Sequence, residues 1–365
     1  MTIAAGQSAL MPRFDDEARD YDALLVLSFG GPEGPDDVIP FLENVTRGRG
    51  IPRERLLEVA EHYYHFGGVS PINAQNRELI AALEAELAAR GHHLPVYFGN
   101  RNWHPFLTDT LMQMRADGVK RMLVFVTSAF SSYSGCRQYR EDLERSCSAI
   151  GDGAPEWDKI RVFYNHPGFL EAMADRMREA LAQFPDTSRD AIEVVYTAHS
   201  IPLSMARNAA YEAQLREATR IVSELAGISR FRLAYQSRSG APHVPWLEPD
   251  ILDVLDELHA DGASNVIVAP IGFISDHLEV LFDLDEEGAE HARLLGMTYV
   301  RAGTVGTHPR FVAMIRELIE ERLTANPERP ALGNKPPVHD NCPANCCAIA
   351  ATRPAATRSV TVATP

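Results

Sequence analysis

An α/β chain of two domains, each with a mainly parallel four-stranded sheet flanked by helices, is the fold class this sequence predicts, on three observations. Apolar, β-rich runs alternate with runs of helical period almost throughout, the pattern of parallel βαβ units. Each half of the chain holds about four of the strand runs. The 365 residues, 45% of them hydrophobic, suffice for two medium domains with substantial cores.

In chain order the first half carries the strand runs DALLVLSFG (22–30), PVYFGN (95–100), RMLVFVTSAF (121–130) and IRVFYNH (160–166). The second half carries IEVVYTAHS (192–200), FRLAYQS (231–237), NVIVAPIGF (265–273) and TYVRAG (298–303). Helical patterns fill most of the intervals, among them NRELIAALEAELAAR (76–90) and AYEAQLREATRIVSELA (210–226). A last helix, PRFVAMIRELIEERL (309–323), is expected to pack back on the body. The expected first domain is therefore 21–166, the second 167–306, and the closing helical segment 307–330. Residues 1–20 and 331–365 lack strong periodicity and read as an N-terminal extension and a cysteine-bearing tail. No sequence repeat relates the two halves.

The formal charge of −15 argues against nucleic acid as a partner, while leaving room for a local basic pocket that takes an anionic small molecule. The first twenty residues have no basic segment followed by an apolar one, and no stretch approaches eighteen uninterrupted apolar residues, so no transmembrane segment and a cytoplasmic location are expected. Five cysteines are an odd number and fit no disulfide framework in a reducing compartment. Three of them crowd into HDNCPANCCAIAAT (339–352), and a metal or cluster accounts for that better.

In open parallel sheets, ligands collect beyond the C-terminal ends of the strands. His199 closes IEVVYTAHS and is followed by Ile201 and Pro202, which stop the strand. An imidazole there accepts a proton near neutral pH or binds a metal, although a hydrogen-bonded histidine beside a turn is the plain alternative. In IGFISDHLEVLFDLDEEGAEH (271–291), Glu279, Asp283 and Glu287 recur at four-residue spacing among Leu278, Val280, Leu281, Phe282 and Leu284. Like charges four apart each cost a helix roughly 0.2–0.5 kcal/mol, so the acidic line must either face water or line a polar cleft. A straight α-helix lets such residues drift about 40° per step, and a π-bulge realigns them. Lines of oxygen ligands suit hard divalent ions in transit, and Glu279 and His199 are placed to face each other across one cleft. The glycine-rich LSFGGPEGP (27–35) fits no nucleotide-binding pattern, because Pro32 and Glu33 stand where a phosphate cradle and its lysine are needed. A tight turn that lets a flat ligand approach the backbone is the alternative. RGRG (47–50), HYYHFGGVSPIN (62–73) and SSYSGCRQYRE (131–141) add arginines and hydroxyls suited to carboxylate recognition.

Taken together, YTAHSIP, PIGFISDHLEVLFDLDEE, LSFGGPEGP, FGGVSPIN, AYQSRSGAPHVPWLEPD and FGNRNWHPF resemble the ferrochelatase family over about 22–325. The likeness is to the branch from high-GC Gram-positive bacteria that inserts ferrous iron into coproporphyrin III on the way to haem b and carries a [2Fe–2S] cluster. It implies two Rossmann-like domains with the porphyrin cleft between them. It also implies that His199 and Glu279 are the central pair handling metal and pyrrole protons, with Asp283 and Glu287 continuing the metal line on a π-containing helix. Ser70 and Tyr139 match positions that contact the porphyrin, and Tyr63 and Arg47 are further candidates near the propionates. Some relatives carry a tyrosine able to ligate iron where this chain has Phe29, a substrate-facing position here without a ligating atom. Coproporphyrin III and Fe²⁺ are the implied substrates and haem-pathway enzymes possible partners, for an expected monomer. A protoporphyrin IX ferrochelatase, a chelatase for another tetrapyrrole or metal such as cobalt, and an iron–sulfur carrier or sensor are the competing readings.

Cys342, Cys346 and Cys347 need one more thiolate to complete a Cys₄ set. Cys136 and Cys147 are the candidates, and on one helix they would lie about 16 Å apart, so one cluster cannot use both. The resemblance favours Cys136, which matches the internal cysteine of cluster-bearing relatives. Structural zinc is the competing use of the same four thiols. The adjacent Cys346 and Cys347 serve either, provided the chain turns there.

Overall fold

The computed structural model describes residues 14–185, 191–240 and 243–349; residues 1–13 of the expected N-terminal extension and 350–365 of the tail lie outside them. Among the described residues the strands form two four-stranded sheets, parallel throughout. The first contains β1 (Ala23–Ser28), β2 (Val96–Asn100), β3 (Arg121–Val126) and β4 (Glu156–Lys159), in the order β2-β1-β3-β4. The second contains β5 (Ile192–His199), β6 (Phe231–Gln236), β7 (Asn265–Ala269) and β8 (Thr298–Arg301), in the order β6-β5-β7-β8. The two orders are the same topology used twice, a structural repeat that leaves no trace in the sequence. β1 and β5 are central in their sheets and covered on both faces, so they read as nearly unbroken apolar runs.

The helices are α1 (Val38–Val45), α2 (Arg53–His65), α3 (Ile72–Ala89), α4 (Leu107–Ala116), α5 (Gln138–Ile150), α6 (Pro167–Leu181), α7 (Leu203–Ala206), α8 (Tyr211–Ala226), α9 (Ile251–Ala260), α10 (Leu278–Val280), α11 (Ala289–Leu294) and α12 (Pro309–Leu323). A π-helical segment, Leu281–Gly288, joins α10 to α11, and a shorter one, Tyr133–Arg137, leads into α5. The local signals are ordinary ones. Asp250 caps α9 by accepting from the Leu252 amide at 2.9 Å, and Gly227 ends α8 in the left-handed region at φ 73°. As expected, α12 returns to the body, where it packs on α3 and α6.

One strand departs from the sequence prediction. IRVFYNH (160–166) is not a strand; the fourth strand is Glu156–Lys159, upstream of it. β4 is an edge strand with few apolar residues, so it carries no hydrophobic signature. The apolar run after it is buried irregular chain: Ile160, Val162, Phe163 and Tyr164 are all at most 5% exposed. Phe163 stacks on Phe125 of β3 at 5.4 Å and also meets Phe169 of α6 and Phe311 of α12. This segment ties the halves together, and the largest buried cluster includes Leu24 and Phe125 of the first sheet with Tyr196 and Ile267 of the second. At roughly 1.5–3 kcal/mol per fully buried large side chain, that shared core fixes the edges of the cleft relative to each other.

Candidate active site and cysteine cluster

The C-terminal ends of β5, β6 and β7 converge on one side of the second sheet. His199 is the last residue of β5. Its Nδ1 lies 2.5 Å from the Ser200 carbonyl oxygen, to which it donates, and the Tyr211 hydroxyl donates to the His199 carbonyl at 3.0 Å. With Nδ1 carrying the proton, Nε2 presents its lone pair to the cleft. Glu279 answers it from α10, with Oε2 at 3.5 Å from Nε2. Two acceptors held this close are complementary to a shared proton or a cation between them. The structure thus brings together the pair expected from two strand ends 80 residues apart.

Asp283 follows on the π segment. Its carboxylate accepts from the Ser237 hydroxyl and, at 3.3 Å, from Gln236 Nε2. Burial raises it to about 7; the Ser237 hydrogen bond is the main opposing influence, and the charges of Glu279 and Glu287 add smaller upward contributions. Glu287 is exposed at the outer end and is raised by partial burial, with His62 opposing. The acidic residues therefore form one electrostatically connected line, and its middle member is half-buried. A solvated helix face would not perturb Asp283 in this way. Tyr299 supports the π segment by donating to the Leu284 carbonyl at 2.8 Å, an outside partner of the kind the wider turn calls for. Arg301 at the end of β8 grips Asp276 through both guanidinium arms at 3.1 and 3.3 Å and also pairs with Asp285.

Several residues escaped the sequence reading. His277, between Asp276 and α10, is lowered by burial and lies within reach of the charges of Glu279 and His199. Gln236 and Ser237 end a strand run that was read only as a strand. Ser237 has φ 60°, an uncommon conformation for a residue with a side chain, and it aims the hydroxyl at Asp283. The strand-end rule that found His199 points equally to these two, although Gln and Ser carry no titratable signal.

The first half supplies the opposite wall. Tyr63 on α2 is pushed up by burial and, less strongly, by the charge of Glu279; its ring packs on Phe41 at 5.8 Å. Phe29, 37% exposed, also meets Phe41, at 6.2 Å. Tyr139 is buried beneath the Arg101 guanidinium at 4.6 Å, and the same guanidinium lies 5.9 Å from the Phe29 ring while pairing with Asp142. Ser70 is buried against the glycine loop after β1. A Cβ on Gly31 would stand 2.7 Å from Ser70 Cβ, and the Ser70 amide donates to the Pro32 carbonyl at 2.9 Å. The glycines of LSFGGPEGP therefore serve loop-to-loop packing. Arg47 is exposed and engages Asn44. At one edge of the cleft the halves touch: His62 stacks on Phe282 at 3.9 Å and His65 Nε2 meets Glu286 at 2.9 Å.

The tail cysteines form a second cluster. Cys136, in the π turn before α5, is close enough to Cys342 for each thiol to influence the other; a ligand atom of Cys342 lies within 4.8 Å of Cys346 Sγ, and Cys346 Sγ lies 3.8 Å from Cys347 Sγ. Hydrogen bonds from Cys136 and Cys346, with lesser help from the Lys159 charge, hold the Cys342 thiol well below its usual range. Cys347 has φ 54°, and this turn lets adjacent cysteines face one centre. Cys147 lies elsewhere on α5, with its thiol 3.8 Å from the Pro155 carbonyl. Four sulfurs from two distant segments, beside Lys159 and Arg140, are a donor set that fits an anionic thiolate-bound cluster. His339 completes the surroundings, its Nε2 3.8 Å from Cys346 Sγ.

The tail is held by more than sulfur. Arg137 donates to the carbonyls of Ala344 and Cys346 at 2.7 and 3.1 Å. Asp340, its side chain 1% exposed, pairs with Arg329 at 3.0 Å and Arg322 at 3.5 Å. The Asn165 side chain donates to the carbonyls of Lys335 and Pro336, both at 3.1 Å.

The doubled parallel α/β fold is shared with chelatases of known structure. The fold is similar to that of SirB from Bacillus subtilis with Fe³⁺, with TM-score 0.52 and 13% identity, covering 83% of this chain and 98% of that one. It is also similar to the sirohydrochlorin chelatase SirB from Bacillus subtilis subspecies spizizenii in complex with cobalt, with TM-score 0.50 and 10% identity, covering 82% and 94%. Within that class, residues 21–323 match the family model described as Ferrochelatase, and the chain belongs to the ferrochelatase family. A ferrochelatase from Rhodopirellula baltica is 56% identical over 93% of this chain and 96% of that protein. The coproporphyrin III ferrochelatase of Streptomyces coelicolor is 52% identical over 93% and 96%, and that of Mycolicibacterium smegmatis is 53% identical over 87% and 94%. Among the described residues no helix is long and apolar enough to cross a membrane.

Proposed function

We propose that this ferrochelatase inserts Fe²⁺ into coproporphyrin III, in the haem b pathway, with His199 and Glu279 as the pair that receives the metal and removes the pyrrole protons. The observation that carries the reading is the 3.5 Å juxtaposition of His199 Nε2 and Glu279 at the inner end of an acidic line. Insertion exchanges two pyrrole protons for one dication, so the site must accept two protons while bringing in two positive charges. His199 Nε2 turns its lone pair toward the cleft and takes one proton, and the carboxylates take the second proton and conduct the ion. Asp283, poised about 7, is half-ionised near neutrality and can both attract Fe²⁺ and accept a proton.

Tyr63 and Phe29 are read as porphyrin-facing groups on the first-half wall, and Ser70 and Tyr139 as residues that shape that wall from beneath. Arg47 is the candidate propionate partner. Residues 21–166 and 167–306 are taken as the two sides of the cleft. Coproporphyrin is favoured because relatives about 52% identical over nearly the whole chain carry that name. The test is anaerobic incubation of the purified protein with Fe²⁺ and either coproporphyrin III or protoporphyrin IX, following loss of the free-porphyrin spectrum. Faster conversion of coproporphyrin is expected; preference for protoporphyrin overturns the substrate, and conversion of neither overturns the assignment.

We also propose that Cys136, Cys342, Cys346 and Cys347 hold a [2Fe–2S] cluster. The proximity of Cys342 to Cys346 and of Cys346 to Cys347, with Cys136 beside them, supports it. When bound, the cluster would supply a one-electron redox centre and a covalent tie between tail and body. Arg137 and Asp340 orient the cysteine loop, and Lys159 and Arg140 offset the thiolate charge. Iron and acid-labile sulfide, each about two per chain, are the expected content, whereas zinc without sulfide would replace the cluster by a structural metal.

A further inference from the structure

We infer that His339 is a reserve ligand of the cysteine cluster, placed to take over an iron when Cys346 is lost. This rests on the cluster proposed above. The site offers five donors for four positions: the sulfurs of Cys136, Cys342, Cys346 and Cys347, and the imidazole of His339. The ligand atoms of His339, Cys342 and Cys346 all lie within 4.8 Å of one another. Nε2 of His339 is 3.8 Å from Cys346 Sγ.

Both residues are anchored from outside the site, and by different groups. The residue after His339 is Asp340, which is nearly inaccessible, paired with Arg322 and Arg329, and accepts from the Asp15 amide at 3.2 Å. Cys346 is fixed through its carbonyl by Arg137. Loss of the Cys346 thiol therefore leaves the backbone on each side in place, and the imidazole has only a side-chain rotation to make. Thiolate is the better ligand for ferric iron, so Cys₄ is the resting set. In the exchange one Fe–S bond is replaced by one Fe–N bond from a neutral imidazole. The site becomes one unit more positive, and no electron is transferred. Histidine in place of cysteine raises the potential of a [2Fe–2S] centre.

The experiment is anaerobic reconstitution of the full chain with Fe²⁺ and sulfide. Iron and sulfide content, ¹⁴N electron spin-echo modulation of the reduced cluster, and the midpoint potential are then measured. Wild type and H339A should each hold a cluster without strong nitrogen coupling. C346A should keep a cluster that shows strong nitrogen coupling and a more positive potential, and H339A/C346A should lose at least tenfold in occupancy. Should C346A fold poorly, H339C/C346A is the second variant, and it should regain a Cys₄ spectrum if position 339 reaches the iron. A C346A cluster without nitrogen coupling, or an empty C346A beside a loaded H339C/C346A, overturns the role of His339 and leaves the cluster reading intact. A wild type that assembles no cluster overturns both.

Discussion

Ser237→Ala should move the acid limb of the chelatase pH profile upward. The Ser237 hydroxyl donates to Asp283, and among the causes acting on that carboxyl it opposes burial and the charges of Glu279 and Glu287. With the hydroxyl present, Asp283 stands at about 7 against an ordinary 3.8. A hydrogen bond to a charged group is worth about 1.5–3 kcal/mol, and one pKa unit is about 1.4 kcal/mol. Losing it should raise Asp283 by about 1–2 units, with Gln236 at 3.3 Å retaining part of the stabilisation. If the carboxylate form of Asp283 passes the metal, activity rises with pH through 7 in the wild type and only about a unit or more higher in the variant. The assay is kcat/KM for Fe²⁺ from pH 5.5 to about 9 under anaerobic conditions, with porphyrin saturating. Ser237→Gly is the control: it removes the same hydroxyl but relieves the left-handed backbone, so it should shift the limb equally while gaining about 1 kcal/mol in stability. An acid limb unmoved in both variants, with folding intact, would refute the role given to Asp283. The sign for stability is separate. A carboxyl raised from 3.8 to about 7 in the folded state costs stability progressively as pH rises between those values and by a constant amount above 7, so the stability of Asp283→Asn relative to wild type should rise from about pH 4 to 7 and then level off.

Further outcomes follow from the same geometry. His199→Ala and Glu279→Ala should each lower kcat by about 10²–10⁴-fold while leaving porphyrin binding, read by fluorescence quenching, nearly unchanged; normal turnover in either removes that residue from the mechanism. Gly31→Ala forces a methyl to 2.7 Å from Ser70 Cβ and should cost about 1–3 kcal/mol in urea unfolding. Asp340→Ala strips a buried carboxylate from Arg322 and Arg329, so a loss of about 3–5 kcal/mol and faster proteolysis of the tail are expected. His65→Ala removes an ion pair in which both side chains are largely exposed and should change stability by no more than about 1 kcal/mol; a larger loss would mean that this contact holds the halves together.

Much of the candidate site was legible because its residues lie at or just beyond strand ends. The burial of a central parallel strand makes it visible as an apolar run, and the residue that terminates it is then a candidate by position alone. His199 was found in this way, and Glu279 because its carboxylate line interrupts an apolar helix. Gln236 and Ser237 stand at an equivalent strand end but were passed over, since what matters in them is the direction of a hydroxyl and an amide. His277 was hidden for a similar reason: its neighbours Glu279 and His199 come from different segments. The strand at 156–159 was missed and one at 160–166 expected, because hydrophobicity reports burial rather than backbone pairing. Phe163 is as buried as any strand residue, but it serves the aromatic junction between the halves.

The sequence by itself determined the α/β class, seven of the eight strands, and the candidate residues for metal chemistry, because these depend on local periodicity and residue type. Tertiary structure alone decided that both halves repeat one strand order, that His62 stacks on Phe282 across the cleft, and that Cys136 sits beside the tail cysteines while Cys147 does not. These are matters of which distant segments meet. They are settled by the packing of one shared core and by the arginine contacts that seat the tail, and no local pattern encodes them.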